Sequence, residues 1–459
     1  MSSQIPQPPG YPFVGNIFSL NNDVPAHGFH ELAQQYGEIY QLNLIGRQVI
    51  FVSSYALVNE LSDDSRFRKS VGFNDESSWG IAHRLLVPAF GYEGDLRADA
   101  IQMERPSNWT LLSIRPMISL ESHWIPIALC SMSYRLGSFE SVSFSVARVN
   151  ASSNGKSGLS ATICSYDGGL SPRMQQQSEP SLDLAAISNR HKWKVSGGYQ
   201  DDEKHSKSIV ILEDRKANLI DRKDVLDVML HGRDPRTGTQ LSDEGIIDNV
   251  SQFLAITSFD LQIRTGHETT SGTMSFALYY LLKYPETMTR LQSEVDSILG
   301  DQPAQLCDLT RMEYLNAVIR ETMRLQPTAA IRAVYPLEDT FIGADGKYFV
   351  QKNAPIALQM WDLHRDVSVW GLDAEEFKPE RMLRGNFESF PTNAWQPFGF
   401  GMRSCIGRAF AWQEMCLVLS SVVQRFDLAL ADSSYELQIT QAITIKPKGF
   451  YIVARRRSK

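Results

Sequence analysis

The 459-residue sequence has no run of about 18 apolar residues, so no segment of it would cross a bilayer as a helix. Its N-terminus, MSSQIPQPPGYPFVGNIFSL, has no basic stretch followed by an apolar one, the usual mark of a secretory leader. Pro8, Pro9, Gly10 and Pro12 instead make a stiff, extended lead-in. The expectation is a soluble, cytoplasmic protein with no transmembrane anchor. Cysteine is scarce: the five residues, at 130, 164, 307, 405 and 416, are odd in number and widely spaced. That argues for a reducing compartment and against a disulfide framework. Positive charge is not in excess either. A net charge of −7 gives no electrostatic case for nucleic acid, and the short basic tail Arg455, Arg456, Arg457 and Lys459 is expected to be solvated. No internal repeat occurs. Asn108-Trp109-Thr110 matches a glycosylation acceptor, but such triplets arise by chance.

What is present is a 43% hydrophobic fraction, enough for a large core, and a strong helical pattern in the C-terminal half. FHELAQQYGEIYQLNLI suggests a helix ending near Gly37 and then a strand that RQVIFVSS continues. SSYALVNELS suggests a serine-capped helix, and WGIAHRLLVPAF, residues 79–90, a helix stopped near Pro88. From about 91 to 205 periodicity is poor and Ser and Gly are dense. VSFSVARVNASSNGKSGLSATICSYDGG shows an apolar face at neither period and suggests loop or disorder. Order returns at Ser208–Ala217 and DRKDVLDVMLHG. GIIDNVSQFLAI, TTSGTMSFALYYLLKYP, PETMTRLQSEVDSIL and DLTRMEYLNAVIRETMRLQP then predict helices, the last starting at an Asp cap and ending at Pro327. AIRAVYPLEDTFI and KYFVQKNAPIALQMW predict strands, and a last long helix begins just after Cys405.

The strongest chemical signal is PFGFGMRSCIGRAFA. A metal-binding cysteine must be a thiolate. A loop feeding straight into a helix lowers the thiol pKa through free backbone N–H groups and the positive helix end. Gly399, Gly401 and Gly407 would allow backbone to approach a flat cofactor. Arg403 offers a fixed positive charge for a carboxylate, and Phe398 can shield the sulfur from water. A lone cysteine is usually a buried core residue. Here Phe398, Gly401, Arg403, Cys405 and Gly407 fix five positions of one pattern, which average composition would produce in such a chain about once in ten thousand. A dinucleotide fingerprint fails because position 404 is Ser, and a zinc-protease pattern at His267-Glu268 fails because position 271 is Ser.

This decapeptide is the haem-ligand signature of the cytochrome P-450 family, and the chain resembles that family over roughly residues 5–90, 126–140 and 205–459. The resemblance implies a mainly α fold with minor β, the haem lying between a long central helix and the helix after the Cys loop. It implies one haem domain over 1–459 with no reductase domain. Cys405 would be the proximal ligand, with Phe398, Gly401, Arg403 and Gly407 around the cofactor. ETMR matches the family's Glu-x-x-Arg helix. Glu321 and Arg324, one turn apart, would join Arg381 of PERM in a structural triad. GHETT resembles the oxygen-activating stretch, with Glu268 and Thr269 as an acid and hydroxyl suited to proton relay. Trp79 and His83, four apart on one helix, would bind a haem propionate.

TGHETTSGTMSFALYYLLKYPE, LHRDVSVWGLDAEEFKPERM and QPFGFGMRSCIG look like the reductase-fused fatty-acid hydroxylases, the fungal members most of all. Arg47 stands where that branch binds a substrate carboxylate, with Phe51 in place of a neighbouring Tyr. The implied function is monooxygenation of a fatty acid or similar acyl or polyketide-like chain by O2. Electrons would come from NADPH through a separate flavoprotein reductase, since the chain stops at Lys459.

Three departures from the family pattern stand out. Between Arg68 and Trp79 the chain is about one helix shorter than its relatives. Residues 91–205 match only at IALCSMSYRLGSFES. FLAITSFDLQIRTGHETT carries an insertion with Asp260, Gln262 and Arg264 where an apolar helix should run, and a charge there is costly unless paired. These departures suggest altered splicing, and with it an alternative: a haem-binding chain impaired in turnover. A haem-thiolate isomerase or peroxygenase is a further alternative.

Overall fold

In this computed structural model the described residues are 3–11, 15–16, 23–44, 46–69, 76–90, 201–218, 225–257, 265–401, 403–441 and 444–457, together with five strands between 124 and 163. The principal helices are α1 (Pro25–Tyr36), α2 (Tyr55–Leu61), α3 (Glu76–Phe90), α4 (Asp201–Ala217), α5 (Val225–His231), α6 (Asp243–Thr257), α7 (Thr265–Lys283), α8 (Pro285–Leu299), α9 (Glu313–Leu325) and α10 (Arg408–Arg425). The N-terminal strands are β1 (Ile39–Leu44), β2 (Arg47–Val52) and β3 (Phe67–Lys69). The central ones are β4 (Trp124–Cys130), β5 (Tyr134–Leu136), β6 (Phe139–Ser141), β7 (Phe144–Ala151) and β8 (Leu159–Ile163). The C-terminal half adds β9 (Ile331–Pro336), β10 (Thr340–Ile342), β11 (Tyr348–Val350), β12 (Ile356–Gln359), β13 (Phe426–Leu430), β14 (Ile439–Gln441), β15 (Ile445–Pro447) and β16 (Ile452–Arg456).

Two five-stranded sheets result. One runs β1-β2-β12-β9-β3; the other runs β13-β16-β8-β7-β4. The main core is helical. Leu278, Leu281, Leu291, Val295, Leu315, Val318, Ile319, Met415, Leu419 and Val423 from α7 to α10 bury together. Each such side chain contributes roughly 1.5–3 kcal/mol by leaving water. A second cluster packs α2 against the first sheet through Leu57, Val58, Leu61, Val52, Val334 and Ile356. A third joins α3 to α6, and Ile406 and Phe410 of the Cys405 segment lean on it. Arg84 of α3 donates to both oxygens of buried Asp234, at 2.7 and 2.8 Å, and so fixes α3 to the turn after α5.

Most element expectations hold, including the Ser54 cap, whose hydroxyl accepts the Leu57 N–H. Three differ. The helix expected to stop near Pro88 runs to Phe90; so close to its end, proline removes a single hydrogen bond. Asp308 does not cap α9. Its carboxylate accepts the Gln305 N–H of a short 3-10 turn, and α9 starts five residues later, after Met312. The stretch expected to be irregular carries β7 and β8, with β8 paired to β16. An existing edge supplies backbone partners that local periodicity does not reveal. The helices expected at GIIDNVSQFLAI and TTSGTMSFALYYLLKYP are α6 and α7; Asp260, Gln262 and Arg264 lie outside the described residues.

Candidate functional site

Cys405 lies three residues before α10, at the end of a loop that folds back on itself. Its N–H donates to Phe398 O at 2.8 Å, so the loop's shape is set by backbone, while the cysteine is exposed. Gly407 is the N-cap of α10, which aims the helix's free N–H groups toward the loop. Gly401 takes φ +61° and packs directly on the Asp64 carboxylate, where any side chain would collide. Phe398 packs between Trp395 and Trp412, with ring centroids 6.5 and 6.3 Å away. The Phe398 ring is thereby part of the helical core that braces the loop.

Two cations that the sequence did not single out stand against this loop. Lys69 of β3 donates to Arg403 O at 2.6 Å, and Arg332 of β9 donates to Pro397 O at 2.5 Å. Both reach the position a Cβ on Gly399 would occupy. Burial pulls Lys69 down to about 8, with Arg332 adding repulsion and Cys405 opposing the shift. Burial likewise brings Arg332 down to about 10, again opposed by Cys405. The buried Nε of Arg332 has no partner among the described residues. Cations withdrawn this far from water favour nearby anions. A thiolate together with a ligand carrying carboxylates would supply them, so the donor set fits haem held by a cysteine sulfur. The signal for Arg332 was a lone charge in a strand of otherwise uncharged residues; Lys69, next to Arg68 at the end of the short β3, gave none.

Beneath the loop, Glu321, Arg324 and Arg381 come together. Arg324 Nε and Nη2 donate to the two Glu321 oxygens at 2.8 Å each, and Arg381 Nε donates to Oε1 at 2.9 Å. Glu321 and Arg324 are fully buried. Arg324 Nη1 also donates to the carbonyls of His364 and Ala374, at 2.7 and 2.6 Å. His364 Nε2 accepts the Gln396 N–H at 3.0 Å. Burial, then repulsion from Arg324, keeps the His364 pKa well below its usual value, so it accepts as the neutral ring. A continuous chain of hydrogen bonds thus links the triad to the residue before Pro397.

The remaining candidates lie on other elements. Glu268 and Thr269 lie in the first turns of α7. The Glu268 carboxylate faces the β14–β15 hairpin, accepting from Thr444 Oγ1 at 3.0 Å and Lys446 Nζ at 3.2 Å. Thr269 O accepts the Thr273 hydroxyl at 2.8 Å. His83 is partly buried on α3, its pKa lowered by burial and by Arg84; the Trp79 side chain lies outside the described residues. Arg47 is exposed at the tip of the β1–β2 hairpin. Phe51 does not share that setting: it stacks on Phe29 and Tyr40 in the core, so the aromatic position beside Arg47 is structural.

Farther along α10, Glu414 has no hydrogen-bond partner among the described residues, and burial pushes its carboxyl up to about 7. Folding therefore favours its neutral form. That stability is whole below the ordinary value of 4.5 and is lost as pH rises to about 7. Glu414→Gln is expected to leave the melting temperature unchanged near pH 4.5 and to raise it above pH 7. The gain is at most about 3 kcal/mol, measurable by thermal melts across pH.

Comparison with known proteins places this geometry. The cytochrome P-450 family model matches residues 5–85 and 176–454 and passes over 86–175. A self-sufficient cytochrome P-450 monooxygenase of Phanerodontia chrysosporium is 41% identical over 488 residues, covering 99% of this chain and 43% of the relative. Bifunctional cytochrome P-450/NADPH–P-450 reductases of Aspergillus oryzae and Fusarium oxysporum are 35% and 36% identical, covering 99% of this chain and 41% and 43% of their own lengths. The chain thus spans less than half the length of these curated relatives. Among the described residues no helix is long and apolar enough to cross a membrane. The family binds haem through a cysteine thiolate. With its mainly helical fold, its Cys405 loop and the buried Glu321–Arg324–Arg381 network behind it, this chain belongs to the cytochrome P-450 family.

Proposed function

We propose that the chain is the haem part of a monooxygenase that puts one oxygen atom of O2 into a C–H bond of a fatty acid or similar acyl or polyketide-like chain. Substrate, O2, NADPH and one proton give alcohol, water and NADP+. An NADPH-dependent flavoprotein reductase carries the electrons. The observation that carries the proposal is Cys405, exposed in a loop beside two partly buried cations, Lys69 and Arg332, that have no carboxylate partner among the described residues. Haem bound there supplies dioxygen activation, with the thiolate's electron density favouring O–O cleavage.

The chain's own residues do the rest. Lys69, Arg332 and Arg403, with Trp79 and His83 from α3, hold the cofactor's carboxylates. Glu268 and Thr269 move protons inward from solvent. Glu321, Arg324 and Arg381 keep the segment under the Cys loop in place. Arg47 takes the substrate carboxylate at an exposed hairpin tip.

The test uses the haem-loaded chain, an added NADPH-dependent reductase and a long-chain fatty acid under 18O2. A hydroxylated product carrying one labelled oxygen is expected. NADPH oxidation that yields only peroxide and water would overturn the activity. That outcome fits a second reading, a haem-binding chain without turnover, favoured by the family match passing over residues 86–175. Product formed with peroxide but never with the reductase points to a peroxygenase instead.

A further inference from the structure

Glu268 is the sole carboxylate of α7, and the β14–β15 hairpin holds it in a clasp. Thr444 Oγ1 donates to Oε2 at 3.0 Å and Lys446 Nζ to Oε1 at 3.2 Å. Thr444 and Lys446 flank fully buried Ile445, so strand alternation turns both toward the same face. The hairpin is anchored at two points, one on the segment after α9 and one on α7. Ile445 N–H donates to Thr328 O at 3.0 Å. One helical turn beyond Glu268, Gly272 lets the hairpin backbone ride directly on the helix: a Cβ there would meet Ile445 O and Thr328 Cγ2, each at 3.3 Å.

The clasp also has a direction. Side-chain exposure is 13% for Glu268 and 27% for Lys446, so the ammonium joins a nearly enclosed carboxylate to solvent. Two hydroxyls farther along α7 are engaged within the helix. Thr273 and Ser275 donate to carbonyls four residues back, both at 2.8 Å. Among the described residues, the hydrogen bonds of the Glu268 carboxylate go to buried Thr444 and to half-exposed Lys446.

We propose that Lys446, supported by Thr444, is a positioning residue for proton delivery. It sets where the Glu268 carboxylate waits and forms the solvent end of the path that continues to Thr269. The inference rests on the reading of Glu268 and Thr269 as the proton relay.

The experiment compares Lys446→Met, Lys446→Arg and Glu268→Gln in the haem-loaded chain with added reductase. Lys446→Met is expected to lower product per NADPH several-fold, with the lost electrons recovered as hydrogen peroxide and substrate KM unchanged. Lys446→Arg restores most of the yield, because a cation can still reach the carboxylate. A readout independent of turnover is the melting temperature of Lys446→Met, Glu268→Gln and the double variant, where the double should melt no lower than the weaker single. Additive melting losses overturn the clasp. An unchanged product-to-peroxide ratio in Lys446→Met, with Glu268→Gln uncoupled, overturns the inference and leaves the relay standing. An unchanged ratio in Glu268→Gln overturns the relay and the inference with it.

Discussion

Cys405→Ala is expected to abolish the thiolate-type Soret band of the reduced, carbon-monoxide-bound chain while the far-ultraviolet helical signal persists. The loop survives the substitution because its closing contact, Cys405 N–H to Phe398 O at 2.8 Å, is backbone to backbone. Neither Cys307 nor Cys416 can take over. Cys416 is buried in the helical core, where burial pushes its thiol up to about 12, and Cys307 lies in the separate 3-10 turn before α9. A thiol held neutral by burial is a poor metal ligand. The Lys69 and Arg332 cations also lose the anion that offsets their burial, so weaker haem retention should accompany the lost band. A folded, haem-supplied wild-type chain without that band would remove Cys405 from the metal.

Glu321→Gln carries the second large effect. One carboxylate accepts two bonds from Arg324, one from Arg381 and a fourth from the Lys378 backbone N–H at 2.9 Å. Gln keeps the volume and removes the charge, leaving two enclosed guanidinium groups without their shared counter-ion. Breaking a buried pair from one side costs about 3–5 kcal/mol, against a total stability of roughly 5–15 kcal/mol for a domain. Urea denaturation should show a much lower midpoint, and haem occupancy should fall in parallel. The loss travels through Arg324 to the His364 carbonyl and through His364 Nε2 to Gln396. Arg381→Lys should cost less, since it keeps a charge but gives up the bonds from Arg381 to the Trp370 and Asp373 carbonyls. A near-wild-type midpoint for Glu321→Gln would show that the network is dispensable.

The parts of the site carried by contiguous residues were legible before the fold was known. Phe398 to Gly407 is one loop, and Glu321 and Arg324 share a helical turn, so spacing alone places their side chains. Lys69, Arg332 and Lys446 come from three strands far apart in sequence. Each would pass for an ordinary solvated charge until tertiary contacts set it beside Cys405 or Glu268. Phe51, which stands where relatives resembling this chain carry a Tyr near Arg47, points into the core with Phe29 and Tyr40, a setting that strand position alone did not reveal. β7 and β8 escaped notice because β8 borrows its partner from β16, nearly 300 residues later. Local patterns carry no record of such long-range pairings.

The first sheet has a consequence for the making of the protein. β2 pairs with β1 on one side, but its other edge is completed by β12, where Ile50 faces Ile356. On a ribosome adding about 5–20 residues per second, that edge waits roughly 15–60 s for its partner. Val49, Ile50, Phe51 and Val52 are thus an apolar strand with unsatisfied backbone for most of synthesis, the kind of edge that recruits other chains. Native pairing over such a separation is slow to form. Yield should therefore respond to translation speed, growth temperature and chaperone supply, even where the finished fold is stable.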